Sequence, residues 1–188
     1  LDFIHSKSMC HLDVKPGNIL VKAGSYKLSD FGLALHINKQ GKVRAGSGSG
    51  SSSSVEEGDS RYMPVEMLSW SPVENLTKCD MFSLGISTYE MVVHKPVAGE
   101  GDEWQLLRSD HWPAPLEAPD ELVEYMEISM KPSPEKRLTA KECLTKFNCF
   151  KSDIEKELAF QKASVQALKD QLSSSAARPQ LKRHHSVI

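Results

Sequence analysis

Two short motifs near the start of the chain limit its fold and chemistry more than any other feature: His11-Leu-Asp-Val-Lys-Pro-Gly-Asn18 and Asp30-Phe-Gly32. The eleven residues between Asn18 and Asp30 hold two strand-like runs, Ile19-Leu-Val21 and Tyr26-Lys-Leu28, around a turn at Ala23-Gly-Ser25. Such a hairpin brings Asn18 and Asp30 close together. Asp13 is then placed to accept a hydroxyl proton, Lys15 to meet a transferred phosphate, and Asn18 with Asp30 to hold magnesium. These residue types suit phosphoryl transfer, whose transition state needs positioned charge more than covalent help.

Asp-Phe-Gly alone is a weak match, while His-x-Asp-x-Lys-Pro-x-Asn fixes five letters and is rare by chance; both together, in this order and at a loop-sized separation, are a strong signal. The pair resembles the carboxyl-terminal lobe of a eukaryotic protein kinase. That resemblance implies a protein-kinase-like α+β fold, mainly α, with a small β hairpin at the catalytic loop. It also implies ATP and Mg2+ as cofactors. Asp13 and Lys15 would be catalytic, Lys15, Asn18 and Asp30 would face the nucleotide, and His11 would be structural. Further residues fall where the resemblance asks for them. Glu66, in Tyr62-Met-Pro-Val-Glu66, stands at the Glu of Ala-Pro-Glu, and Arg137 at the Arg that pairs with it. Asp80 stands at the helix-start Asp that receives backbone N–H groups from the catalytic loop.

Two positions depart from the kinase pattern. Leu12 replaces the Arg of His-Arg-Asp, the group that ordinarily pairs with a phosphate on the activation loop. Pro-Val-Glu66 replaces Ala-Pro-Glu, keeping the charge and moving the proline. Together with Glu57-Gly-Asp-Ser-Arg-Tyr62, Asp80-Met-Phe-Ser-Leu-Gly85 and Gly101-Asp-Glu-Trp-Gln-Leu-Leu-Arg108, they resemble the Wee/Myt kinases. The Leu12 loop and an intact Asp-Phe-Gly lean to the Myt branch. The implied substrate is a protein, namely an inhibitory Tyr or neighbouring Thr of a mitotic cyclin-dependent kinase. Lys15 by itself is the Ser/Thr-kinase arrangement, so Tyr comes from the resemblance alone. Trp104 reads first as a core or interface aromatic.

Along the chain, Leu1–Met9 ends a helix and Leu33–Lys42 leaves the hairpin core. Helical patterning covers 65–70, 79–93, 104–108, 120–130 and 139–147, the last capped by Thr139 with Glu142 in a capping box. Gly46–Ser54 is read as a flexible insertion in the activation segment. Its evenly spaced glycines fit no Gly-x-Gly-x-x-Gly register, and it follows Asp30. The kinase lobe is expected over 1–150, a helical extension over 151–172, and a disordered tail with a basic cluster over 173–188.

A net charge of −2 supplies no whole-chain attraction for nucleic acid, so none is expected as a partner. The apolar run 81–93 is interrupted by Glu90 and too short to span a bilayer, so membrane attachment is not indicated. Cys10, Cys79, Cys143 and Cys149 lack metal spacing and read as reduced thiols of an intracellular protein, nuclear or cytoplasmic. A monomer is expected. The sequence carries no Val-Ala-Ile-Lys and no glycine loop before the catalytic loop. With Leu at position 1, this suggests a fragment lacking the amino-terminal lobe and inactive alone. Two alternatives remain: a non-catalytic kinase-like scaffold that binds protein partners, and a Ser/Thr kinase of another family.

Overall fold

The computed structural model describes residues 1–42, 58–68 and 73–147, with residues 162, 164–166 and 169 further on. The chain divides into two compact units, Leu1–Lys146 and Phe147–Ile188. In the second unit Phe147 lies in a turn and is half-buried, while residues 162, 164–166 and 169 are helical and exposed. The Gly46–Ser54 insertion, most of the helical extension and the basic tail lie outside the described residues, as does Cys149.

In the first unit a short helix, α1 (Asp2–Ser6), leads into β1 (Met9–Cys10). The catalytic-loop residues follow, closing in a 3₁₀ turn at Pro16–Asn18. Proline suits the start of that turn because its fixed φ and missing N–H cost nothing there. β2 (Ile19–Lys22) and β3 (Ser25–Leu28) form the expected antiparallel hairpin, with Ile19 opposite Leu28 and Lys22 opposite Ser25. Its two-residue loop places Ala23 at φ 50° and Gly24 at φ 76°, the doubly left-handed form that matches strand twist. Ser29 N–H continues the ladder to the Asn18 carbonyl at 2.9 Å, so the hairpin base joins the two motifs directly.

One expectation needs correction. Residues 33–42 do not simply leave this core. β4 (Leu35–His36) returns to pair antiparallel with β1, Cys10 opposite Leu35. Leu33 and Leu35 pack against a cluster of Cys10, Leu12, Ile37, Leu76 and Cys79. Apolar side chains therefore fix the start of the activation segment on the body.

The central helix, α2 (Leu76–Val93), begins three residues earlier than expected because Asn75 caps it, accepting the Thr77 N–H at 3.1 Å. Asp80 consequently lies inside the helix. α3 spans Gly101–Leu106, α4 Asp120–Ser129 and α5 Ala140–Lys146. Residues 65–67 form a single 3₁₀ turn, while 69–72 lie outside the described residues. The capping box at α5 forms as expected. Glu142 N–H donates to Thr139 Oγ1, and Thr139 N–H donates to Glu142 Oε2 at 2.7 Å.

The larger apolar cluster lies where α2 meets α4 and joins Tyr62, Phe82, Ile86, Tyr89, Val97, Leu107, Met126 and Met130. Gly85 allows the close approach. A Cβ there would stand 2.9 Å from both Met130 Cγ and Ser129 Cβ. Among the described residues no helix is long and apolar enough to cross a membrane.

Candidate active site

The catalytic loop hangs from one buried carboxylate on α2. Asp80 accepts Leu12 N–H on Oδ1 at 2.8 Å and His11 N–H on Oδ2 at 2.9 Å. His5 Nε2 reaches the same Oδ2 at 2.8 Å. Satisfying two backbone donors this way holds Leu12 at φ 65°, a left-handed conformation that non-glycine residues rarely keep without support. Both loop N–H groups thus end on the Asp80 carboxylate.

His11 is buried and carries the next level of support. Its Nε2 donates to the Ser29 carbonyl at 3.0 Å, which leaves Nδ1 to accept the Asp13 N–H at 3.3 Å. Its ring meets Phe31 edge-on, with centroids 4.9 Å apart. One imidazole thus links the loop holding Asp13 to the segment holding Asp30.

Asp13 is nearly buried, and its Oδ2 is committed on two sides. Lys15 Nζ lies 2.8 Å away and Asn18 Nδ2 donates at 2.8 Å. The same Asn18 amide donates to the Asp13 carbonyl at 2.9 Å. Its nitrogen is therefore spent on orientation. Among the described residues Asn18 Oδ1 and Asp13 Oδ1 take no hydrogen bond, so each remains an open oxygen. Asp30 sits at φ 60° with an exposed carboxylate, of which Oδ1 accepts Gly32 N–H at 3.2 Å. Open oxygens from an amide and a carboxylate are the donors that a hard divalent cation takes.

The Glu66–Arg137 pair also forms. Arg137 Nη1 and Nη2 meet Glu66 at 2.5 and 3.2 Å, in a bidentate fork. The guanidinium is fully buried and also donates to the carbonyls of Lys131, Lys78 and Pro132. Lys78 Nζ returns a bond to the Arg137 carbonyl. Phe82 lies 4.8 Å from the guanidinium carbon. The residues that follow the activation segment are therefore locked to the helical body.

Leu12 is buried in the apolar cluster beside Leu33 and Leu35. Where kinases usually hold a guanidinium for a loop phosphate, this chain packs hydrocarbon. Just beyond, Asp59 and Arg61 form an exposed bidentate pair at 2.9 and 2.6 Å. The Arg61 hydrogen bond, helped by the charge of Lys15, holds Asp59 below the usual carboxylate range. Tyr62 gives its hydroxyl to Glu90 at 3.0 Å, and burial together with that carboxylate pushes the phenol up to about 12.

One residue with a large structural role escaped the sequence reading. Arg108 is buried just after α3, and its Nε donates to the Met63 carbonyl at 2.8 Å. Nη2 donates to the carbonyls of Ser60 and Arg61 at 3.0 Å each, and Nη1 to that of Trp104 at 3.0 Å. Trp104 lies over the guanidinium at 3.8 Å and donates Nε1–H to the Ser60 carbonyl at 2.9 Å. Trp104 is thus a half-buried intramolecular contact. A Trp-x-x-x-Arg pair on one helical face was the available signal.

A buried aspartate suspending the catalytic loop, a carboxylate held by Lys and Asn, and an anchored Glu–Arg fork define a protein kinase core. The protein kinase domain family matches residues 1–147, and the chain belongs to that family. Among known proteins it is similar to the Wee1-like protein kinase of Oryza sativa subsp. japonica, 40% identical over 144 residues. That match covers 77% of this chain and 25% of the rice protein. The Wee1-like protein kinase of Arabidopsis thaliana is 36% identical over 144 residues, covering 77% and 26%. A membrane-associated tyrosine- and threonine-specific cdc2-inhibitory kinase, wee-1.3 of Caenorhabditis elegans, is 36% identical over 111 residues, covering 58% and 15%. The chain spans about a quarter of the length of the plant relatives it matches.

Proposed function

We propose that this chain carries the acceptor and metal half of a Wee1-like protein kinase. In that role it moves the ATP γ-phosphate to a hydroxyl of a cyclin-dependent kinase. The observation that carries the reading is the division of labour around Asp13. Oδ2 is held by Lys15 and Asn18 at 2.8 Å each, and Oδ1 stays open toward an incoming hydroxyl. A carboxylate so held is fixed in position and keeps one oxygen for the proton.

Magnesium and the nucleotide phosphates fit the residues present. Asn18 Oδ1 and the Asp30 carboxylate would hold the metal, which when bound neutralises charge on the phosphate oxygens. Lys15 then serves both Asp13 and the phosphoryl oxygens from one position. The acceptor as tyrosine or threonine of a cdc2-type kinase is supported by similarity to the worm protein, whose name states that specificity. The Leu12 loop favours the Myt branch within that group. Free buried thiols at Cys10, Cys79 and Cys143 support an intracellular protein, nuclear or cytoplasmic.

The alternative is a non-catalytic kinase-like scaffold that binds protein partners. The metal-type oxygens at Asn18 and Asp30 oppose it, because a binding scaffold has no use for them. Phosphoamino-acid analysis of a cyclin-dependent kinase treated with the full-length gene product, intact or carrying Asp13→Asn, tests the proposal. Phosphotyrosine or phosphothreonine made only by the intact protein is expected. Phosphoserine alone would move the protein to another kinase family, and no label would favour the scaffold.

A further inference from the structure

We propose that Arg108, with Trp104, is the positioning residue that shapes the acceptor-binding floor of the active site. It does so in place of a phosphate-bearing activation loop. The inference rests on the kinase reading above. Its starting point is a backbone account of residues 60–63. The Ser60 carbonyl takes both Trp104 Nε1–H at 2.9 Å and Arg108 Nη2–H at 3.0 Å. The Arg61 carbonyl takes Arg108 Nη2–H at 3.0 Å, and that of Met63 takes Arg108 Nε–H at 2.8 Å. The Tyr62 carbonyl takes the Ser83 hydroxyl at 2.9 Å. Four successive carbonyls are thus held from below by side chains of α2 and the α3 region. Loop backbone rarely receives so many side-chain donors, since most such groups turn to water.

The location gives the clamp its meaning. Gly58 lies so close to the catalytic loop that a Cβ there would stand 3.1 Å from the Leu12 carbonyl. Asp59 senses the charge of Lys15. The segment therefore borders the place where an acceptor hydroxyl must approach Asp13. With its carbonyls turned inward, it presents the exposed side chains of Ser60 and Arg61 outward. Leu12 cannot gather a phosphate, so the order that phosphorylation usually brings must come from elsewhere. A buried guanidinium with four carbonyl partners, sandwiched by Trp104 at 3.8 Å and Phe82 at 5.5 Å, provides it permanently.

Lysine in place of Arg108 keeps the charge but reaches at most one or two of the four carbonyls. The test measures steady-state kinetics of the full-length gene product with a cyclin-dependent kinase as acceptor, and magnesium-dependent ATP hydrolysis without acceptor. Arg108→Lys is expected to lower kcat/KM for the acceptor about 10- to 100-fold, the usual effect of a small misplacement. KM for ATP and acceptor-free hydrolysis should remain within about twofold, because the Asp13–Asn18–Asp30 group is untouched. Trp104→Phe keeps an aromatic face beside the guanidinium and removes the Nε1–H donor, so its acceptor kcat/KM should fall about 2- to 10-fold. Equal losses in hydrolysis and acceptor phosphorylation would overturn the assignment, as would an unchanged acceptor kcat/KM in Arg108→Lys. A wild-type protein with neither activity would instead overturn the kinase reading itself.

Discussion

At the scale of single residues, the fold concentrates its stakes on a few buried polar groups. Arg137 is fully buried and serves Glu66 and three carbonyls at once. Arg137→Met should cost about 3–5 kcal/mol, because it leaves Glu66 and those carbonyls without their donor. Urea unfolding of the two chains measures it. Leu12→Ala should cost about 2–5 kcal/mol by opening the cluster of Cys10, Ile37, Leu76 and Cys79, although the residue stands where kinases usually carry a charge. A loss below about 1 kcal/mol would contradict its place in that core. The meeting of Asp13, Lys15 and Asn18 was legible in the sequence because their spacing is local: all three share one loop. Arg108 was not, because its partners are carbonyls 45 to 48 residues earlier, and a carbonyl leaves no letter to read.

Among elements, close packing decides what substitutions do. Gly85→Ala would raise the helix propensity of α2 by up to about 1 kcal/mol. It would also drive a methyl into Met130 and Ser129, so the net effect should be a loss of about 1–2 kcal/mol in thermal or denaturant unfolding. The hairpin turn responds the other way. Ala23 sits at φ 50°, where asparagine is at ease, and Ala23→Asn should gain about 0.5–1 kcal/mol. The hairpin and the α5 capping box could be read in advance, since each follows from neighbouring letters. The β1–β4 pairing could not, because two-residue strands show no alternation. Asn75 before Leu76 was a readable cap, and it explains why α2 starts earlier than its apolar run.

For the whole molecule, charge and burial set how the active region answers pH. Asp59 has a folded pKa below its unfolded value through Arg61. Its stabilising share is thus complete above the unfolded value of about 4 and fades as acid carries the pH down through the folded pKa. The acid limb of the stability curve should therefore flatten in Asp59→Asn, and an unchanged limb would contradict the pairing. The buried thiols of Cys10 and Cys79 are pushed up by desolvation, so alkylating reagents at neutral pH should leave them unmodified until the chain unfolds. At this scale the long-range locks that end on side chains, Glu66–Arg137 and Asp80 with the loop, could be read from the sequence, whereas the Arg108 lock, which ends on carbonyls, could not.

The central claim is that a carboxylate awaiting a hydroxyl and a pair of open oxygens awaiting magnesium are separate parts of one site. Parallel measurement of magnesium–ATP affinity and phosphate transfer in the full-length gene product separates them most directly. Asp13→Asn should bind magnesium–ATP within about threefold of wild type while losing about 10²- to 10⁴-fold in transfer, whereas Asp30→Asn should lose both. Undiminished transfer by Asp13→Asn, or undiminished magnesium–ATP binding by Asp30→Asn, would contradict the account.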